Sequence, residues 1–167
     1  GVGKKERKLG LRGSPTTEIV LENVKVPADC LVGEEGKGFN IALDTLDGGR
    51  RGIASQSLGI ARVAIDLIKQ HLAGQVDHKG RPNSSQPDQW SLADLAADLD
   101  AYRLLTWRAA VMRDRNVHCG TEAAMAKSWA PKLAYDPVHH CLLSFGHAGY
   151  DRGPTEQPPR DLLRFQI

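Results

Sequence analysis

The sequence has little of several features that mark particular classes of protein. Only three of its 167 residues are cysteines, Cys30, Cys119 and Cys141. Because their number is odd and their spacing is wide, they favour neither a disulfide framework nor a zinc site. No stretch approaches the roughly 18 consecutive apolar residues of a transmembrane helix. We therefore predict a soluble protein of a reducing compartment that does not bind a membrane.

An excess of charge of one sign is also missing. Lysine and arginine number 22 and aspartate and glutamate number 20, so the formal net charge is only +2. Both signs are interspersed along the chain, which argues against a nucleic-acid partner. One short basic stretch, KKERK at residues 4–8, is interpreted as a solvated turn or strand edge.

The first forty residues predict a strand and then a turn. The segment TEIVLENVKV, residues 17–26, places apolar residues among polar ones and ends at Pro27, a pattern typical of a strand. Three glycines in VGEEGKGF, residues 32–39, predict a turn that leads into a helix. One strand is too little sheet to be stable alone, which suggests that it belongs to a larger protein.

The remaining sequence predicts helices. The first should run from about Ile41 to His71, and a loop rich in Gly, Pro, Ser and Asn follows it. Ser91 is expected to cap the second helix, with Asp94 three residues later. That helix carries one continuous apolar stripe, formed by Leu92, Leu95, Leu99, Tyr102, Leu105, Ala109 and Met112.

A third helix is predicted after Thr121, which is expected to cap it. Pro131 and Pro137 fall inside this segment and should kink or break it, because proline removes a backbone donor and clashes with the preceding turn. Residues 144–161 have the composition of a loop. Helices that each carry one apolar stripe pack as a bundle, so the predicted fold class is mainly α, an up-down four-helix bundle after a short β segment.

Other chemistries find no support in the sequence. His139, His140 and His147 are grouped, but adjacent helical residues point about 100° apart and the spacing matches no zinc pattern. The serines lack a GxSxG context, and the lysine of GEEGKG is not followed by the serine or threonine of a P-loop. We therefore assign no metal site, hydrolase nucleophile or nucleotide loop.

Four stretches in order resemble one family. They are KLGLRGSPTTEIVLENVKVPADCLVGEEGKGF (8–39), ALDTLDGGRRGIASQSLGIA (42–61), LADLAADLDAYRLLTWRAA (92–110) and EAAMAKSWA (122–130). Together they are similar to the C-terminal half of acyl-CoA dehydrogenases, most closely the short-chain and branched-chain members. The resemblance implies that residues 1–32 are the tail of the family's middle β domain. It also implies that residues 33–167 are its C-terminal helical bundle, truncated at the end.

The resemblance also implies a function. The family consists of flavoproteins that use FAD to insert a double bond between C2 and C3 of an acyl-CoA, here a short or branched one. Its members are usually tetramers, so we expect a homo-oligomer or a partner that supplies the missing domains. Eukaryotic members are mostly in the mitochondrial matrix and bacterial ones in the cytoplasm.

Specific residues follow from the family motifs. Asp47 and Arg50 in LDGGRR match residues that line the acyl-CoA channel, although three-residue spacing on a helix also suits a local salt bridge. In LLSFGHAGY, the retained Gly146, Gly149 and Tyr150 match a motif that holds FAD, whereas Leu143 and His147 replace a glutamine and a glycine. The family arginine that reaches the FAD diphosphate is replaced at Gln75 or Val76, and Arg81 is the nearby substitute.

No catalytic base is assigned. The family's usual glutamate would lie two residues beyond Ile167, and the less common position, immediately before the arginine of the LDxxR motif, is Gly49. Two hypotheses therefore stay open. The chain is part of an FAD-dependent acyl-CoA dehydrogenase, or it is an inactive, degenerate member that acts as a structural or oligomerisation module.

Overall fold

The computed structural model describes residues 1–81 and 83–150. Four helices lie in them: α1, Gly38–Gly74; α2, Gln86–Asp114; α3, Gly120–Ser144; and the single-turn α4, His147–Tyr150. A 3-10 turn, Ala28–Cys30, precedes them. The predicted mainly helical fold class is confirmed. No helix in these residues is both long and apolar enough to cross a membrane.

Two apolar clusters set the direction of the three long helices. One joins the late α1 residues Ile68 and Leu72 to the late α3 residue Cys141, with Leu92 from the start of α2 packed against them. The other joins Ala54, earlier in α1, to earlier residues of α3 and to the middle of α2. Helices α1 and α3 therefore run parallel and α2 runs antiparallel to both, which is the up-down-up order expected of a bundle.

The start of α2 differs from the prediction. The helix begins at Gln86, and its N-cap is Ser85, whose hydroxyl oxygen accepts a hydrogen bond from the Asp88 backbone N–H at 3.3 Å. Ser91 lies inside the helix and does not cap it. Both serines are followed three residues later by aspartate, but a proline in the first turn favours the earlier start. All seven residues of the predicted stripe are buried or half-buried.

Helix α3 is not broken by its prolines. It runs without interruption from Gly120 to Ser144 through Pro131 and Pro137, and its N-cap is Cys119 rather than Thr121. Pro137 is fully buried beside Val138 in the core. Burial of this ring and of its apolar neighbours offsets the lost backbone hydrogen bond, so packing overrides the local preference. The predicted loop after residue 144 contains α4, and residues 151–161 lie outside the described residues.

The predicted strand at residues 17–26 is wrong as a continuous element. Its first residues pair with the N-terminus through backbone hydrogen bonds, from Gly3 N–H to Glu18 O at 2.8 Å and from Val20 N–H to Gly1 O at 3.0 Å. Val2 and Ile19 form an isolated antiparallel bridge, and no strand is formed in the described residues. Two short segments without a third strand or an apolar layer behind them cannot extend this pairing. We call residues 1–20 the N-terminal hairpin.

Candidate functional site

The predicted pair Asp47 and Arg50 lies on α1. Asp47 Oδ1 accepts a hydrogen bond from Arg50 Nη1 at 2.5 Å, and both side chains are partly exposed. The three-residue spacing on a helix brings the two groups together, as the sequence suggests. The pair is therefore a local ion pair on an accessible helix face.

Around this pair, α1 presents an apolar row to solvent. Phe39, Leu43, Leu46 and Ile53 recur at three- and four-residue intervals and are 75%, 43%, 55% and 39% exposed. Arg50 occupies the remaining position of the same row, since it lies four residues after Leu46 and three before Ile53. The face thus combines apolar side chains with one guanidinium group, a combination that suits a ligand with an apolar chain and anionic groups.

The turn between α2 and α3 lies against the same part of α1. Arg51 Nη1 donates a hydrogen bond to Cys119 Sγ at 3.6 Å. A Cβ added at Gly120 would lie 3.2 Å from Asp47 Oδ2 and 3.1 Å from His118 Nε2, so this glycine lets the turn approach the carboxylate. Sequence reasoning missed His118 and Gly120, because no spacing rule links residues about seventy positions apart.

A second group of predicted residues follows α3. Gly146 has φ +54°, in the left-handed region that favours glycine, and begins the turn into α4. At Gly149 a Cβ would lie only 2.2 Å from the Leu142 carbonyl oxygen, so no other residue fits there. Tyr150 is 85% exposed. Packing of the chain on itself therefore accounts for Gly149 without any ligand.

The side chain of Arg81 is bound by Asp77, a residue of the same turn. Asp77 Oδ2 accepts a hydrogen bond from Arg81 Nε at 2.9 Å and forms an ion pair with Nη2 at 2.8 Å. Asp77 Oδ1 accepts hydrogen bonds from the backbone N–H groups of Lys79 and Arg81. These bonds, that from the Arg81 backbone foremost, hold the pKa of Asp77 below its ordinary value. Asp77 is therefore ionised at neutral pH and occupies the guanidinium fork that a phosphate would need.

The structure separates the predicted residues into two places. His71 near the end of α1 stacks on Phe145 after α3 with ring centroids 4.1 Å apart, so the Arg81 turn and residues 146–150 lie at one end of the bundle. Asp47 lies on α1 27 residues before its last residue, Gly74. At 1.5 Å per residue that separation is about 40 Å. One copy of the chain does not bring its two groups of candidates together.

These geometries test the fit to FAD. Among the described residues, Arg81 is held by Asp77, and Gly149 is explained by the Leu142 carbonyl group. His147 is exposed at the surface of the turn. Within one copy, the described residues do not form a flavin site, and no chemical step is assigned to FAD. No group of three or more metal-ligating side chains occurs in residues 1–81 and 83–150.

Comparison with known proteins identifies the family that this chain matches. Residues 36–167 match the family model described as acyl-CoA dehydrogenase, C-terminal domain. The human mitochondrial short-chain specific acyl-CoA dehydrogenase is 43% identical over 161 residues, which are 96% of this chain and 39% of that protein. An acyl-CoA dehydrogenase of Bacillus subtilis is 42% identical and is covered over 44% of its length.

Solved structures agree with this match. Butyryl-CoA dehydrogenase from Megasphaera elsdenii superposes with a TM-score of 0.85 at 38% identity, over 99% of this chain and 42% of that one. A glutaryl-coenzyme A dehydrogenase in complex with glutaryl-CoA superposes with a TM-score of 0.83 at 28% identity. The chain spans about two fifths of the length of the relatives that it matches.

Proposed function

The chain belongs to the acyl-CoA dehydrogenase family, and on that basis we propose that it is the C-terminal portion of an FAD-dependent acyl-CoA dehydrogenase. The reaction would introduce a C2–C3 double bond into a short or branched acyl-CoA. The names of its relatives support the short-chain assignment. We further propose that residues 1–32 are the tail of the β domain and that residues 33–167 form the helical domain.

The main structural support for this proposal is the exposed apolar row on α1. An acyl-CoA has an apolar acyl chain and anionic phosphates, and α1 offers Leu46 and Ile53 on either side of Arg50. Asp47 contacts Arg50 through Nη1, whereas Asp77 contacts both Nε and Nη2 of Arg81. In this proposal Asp47 orients the Arg50 guanidinium, and its other N–H groups bind the anionic groups of the substrate. In this proposal these residues bind and orient the substrate, and the proton-abstracting base lies outside the described residues, since the alternative position is Gly49.

Assembly is part of the proposal. The two groups of candidate residues lie about 40 Å apart on one chain, so a site that uses both needs a second copy. We therefore propose a homo-oligomer in which one copy supplies the Arg50 face and another the turn after α3. Mitochondrial relatives and bacterial relatives both exist, and we propose the mitochondrial matrix for a eukaryotic source and the cytoplasm for a bacterial one.

Substrate binding tests the proposal. Isothermal titration of the chain with butyryl-CoA should show binding that Arg50→Gln weakens at least tenfold, because the anionic groups of the ligand lose the guanidinium that binds them. Arg62→Gln is the matched control, since Arg62 also lies on α1 and pairs with an aspartate, Asp66, at 3.8 Å. Equal loss in both variants, or no loss in Arg50→Gln, would contradict the assignment of Arg50.

A second candidate function rests on a different observation. The engaged Arg81 and the packing role of Gly149 favour a structural or oligomerisation module that uses no flavin. The two functions differ in cofactor retention. After incubation with FAD and desalting, the proposed dehydrogenase portion should keep a flavin absorption band, and the structural module should not while still forming oligomers.

A further inference from the structure

The N-terminal hairpin concentrates the positive charge of the chain. Its 20 residues contain five cationic side chains and two carboxylates, Glu6 and Glu18, a net of +3. The whole chain has a net charge of +2, so the other 147 residues together carry −1. Such segregation creates a local positive potential that attracts anions.

The cationic side chains surround one concave site. Lys5, Arg7, Lys8 and Arg12 line a cavity of about 620 Å³ at the tip of the hairpin, and Glu6 is the one carboxylate among the described residues that line it. The backbone pairing of the hairpin holds the two sides of the tip together. Lys8 Nζ also donates a hydrogen bond to the Ser14 carbonyl oxygen at 2.5 Å, which ties the tip across its width.

None of these cations is neutralised by another described residue. The ion pairs found in residues 1–81 and 83–150 all lie between Asp44 and Glu122, and none involves the hairpin. Like charges at short separation repel each other, and side-chain rotation lets isolated lysines move apart. The hydrogen-bonded backbone of the tip keeps the attachment points of the four cationic side chains close together, and a bound anion would relieve the repulsion between them.

We propose that the tip of the N-terminal hairpin binds a small molecule that carries two or more linked phosphates. The planar forks of Arg7 and Arg12 suit bidentate contacts with phosphate oxygens, and the ammonium groups of Lys5 and Lys8 add point charges. A polyphosphate matches four cations better than a monoanion does. This site is separate from the Arg50 face and does not depend on the proposed dehydrogenase function.

Titration with inorganic pyrophosphate tests the proposal on the whole chain. The double variant Arg7→Gln/Arg12→Gln should bind pyrophosphate at least tenfold more weakly, and Arg12→Lys should fall between it and the parent, because it keeps charge but loses the fork. The control Arg62→Gln/Lys127→Gln also removes two exposed cations and should change affinity less than twofold. Circular dichroism verifies that each variant keeps its helices.

Four results would overturn the proposal. The first is equal weakening in the control, which would mean that net charge alone attracts the anion. The second is equal affinity for sulfate and pyrophosphate, since the site would then not recognise linked phosphates. The third is tighter binding of an acidic peptide of glutamates than of pyrophosphate, which would assign the tip to a protein partner. Absence of binding at low salt has the same consequence.

Discussion

The two parts of α1 differ in burial although one stripe runs through both. Between residues 38 and 53 no residue is buried, whereas residues 54–74 contain eight buried residues. The row that begins with Phe39, Leu43 and Leu46 continues at the same angular position through Ala61 and Ile68. The pattern is the same in both parts, but only the second is covered by α2 and α3. An apolar stripe therefore predicts a contact surface and does not identify the partner.

The exposed part also carries the Asp47–Arg50 pair. Burying an ion pair costs free energy because both charges lose their water. The Asp47–Arg50 pair lies on the exposed part of α1, where both side chains stay partly in contact with solvent. We therefore expect residues 38–53 to be a surface that the assembled protein or its substrate covers. Four predictions test this difference between the two parts of α1, in order of expected effect.

The largest effect is expected from a charge in the covered part. Ala61 is fully buried, so Ala61→Glu should destabilise the fold by about 3 kcal/mol or more, because the carboxylate finds no partner there. Ala42 is exposed, and Ala42→Glu should change the free energy of unfolding by less than about 0.5 kcal/mol. Urea denaturation followed by circular dichroism measures both. A large loss in Ala42→Glu would remove the distinction between the two parts.

Truncation of apolar side chains should show the same contrast at smaller scale. Ile68 is fully buried among α1, α2 and α3 residues, so Ile68→Ala should cost about 2–5 kcal/mol. Leu46 is 55% exposed, and Leu46→Ala should cost about 0.5 kcal/mol or less. If the two substitutions lower the free energy of unfolding by similar amounts in dilute solution at low salt, residues 38–53 are covered even in the isolated chain.

A pH dependence is expected from Tyr102, which packs against the covered part of α1. Its hydroxyl donates to the Ala126 carbonyl oxygen, and burial raises its pKa from 10.0 to about 12. The unfolded chain therefore loses this proton at lower pH than the folded chain, so stability present below pH 10 falls as pH rises towards 12. At pH 11 the loss is about 1 kcal/mol.

Tyr102→Phe isolates this effect. The difference in unfolding free energy between parent and variant should shrink from pH 9 to pH 11, since only the parent has the titrating hydroxyl. Burial also raises the pKa of the Cys141 thiol to about 11, but that thiol is present in both proteins and cancels in the difference. A difference that is constant with pH would contradict the burial of Tyr102 in solution.

The smallest effect is expected from the helix backbone. Gly49 in the exposed part and Gly59 in the covered part both have open space where a Cβ would lie. Gly49→Ala and Gly59→Ala should each stabilise the chain by about 0.5–1 kcal/mol, because alanine has the higher helix propensity. Thermal unfolding measures both gains. Destabilisation by Gly49→Ala alone would indicate that the exposed part makes contacts that the described residues do not contain.

Part of the candidate site could be predicted from the sequence. The spacing of Asp47 and Arg50 on a helix predicted their ion pair, and the family motif added the proposed role. The neighbours His118 and Gly120 could not be found, because they reach Asp47 only through the turn between α2 and α3. The engagement of Arg81 by Asp77 was also missed, although their four-residue spacing with an intervening glycine is typical of a tight turn.

The sequence by itself determined the helical class, the inward stripe of α2 and the family, because periodicity and motifs are local properties of the chain. Tertiary structure alone decided that α3 continues through Pro131 and Pro137 and that residues 17–26 do not form a strand. It also decided which part of the α1 stripe is covered. These outcomes depend on whether another element lies within contact distance, and burial against such an element outweighs the local preferences of the backbone.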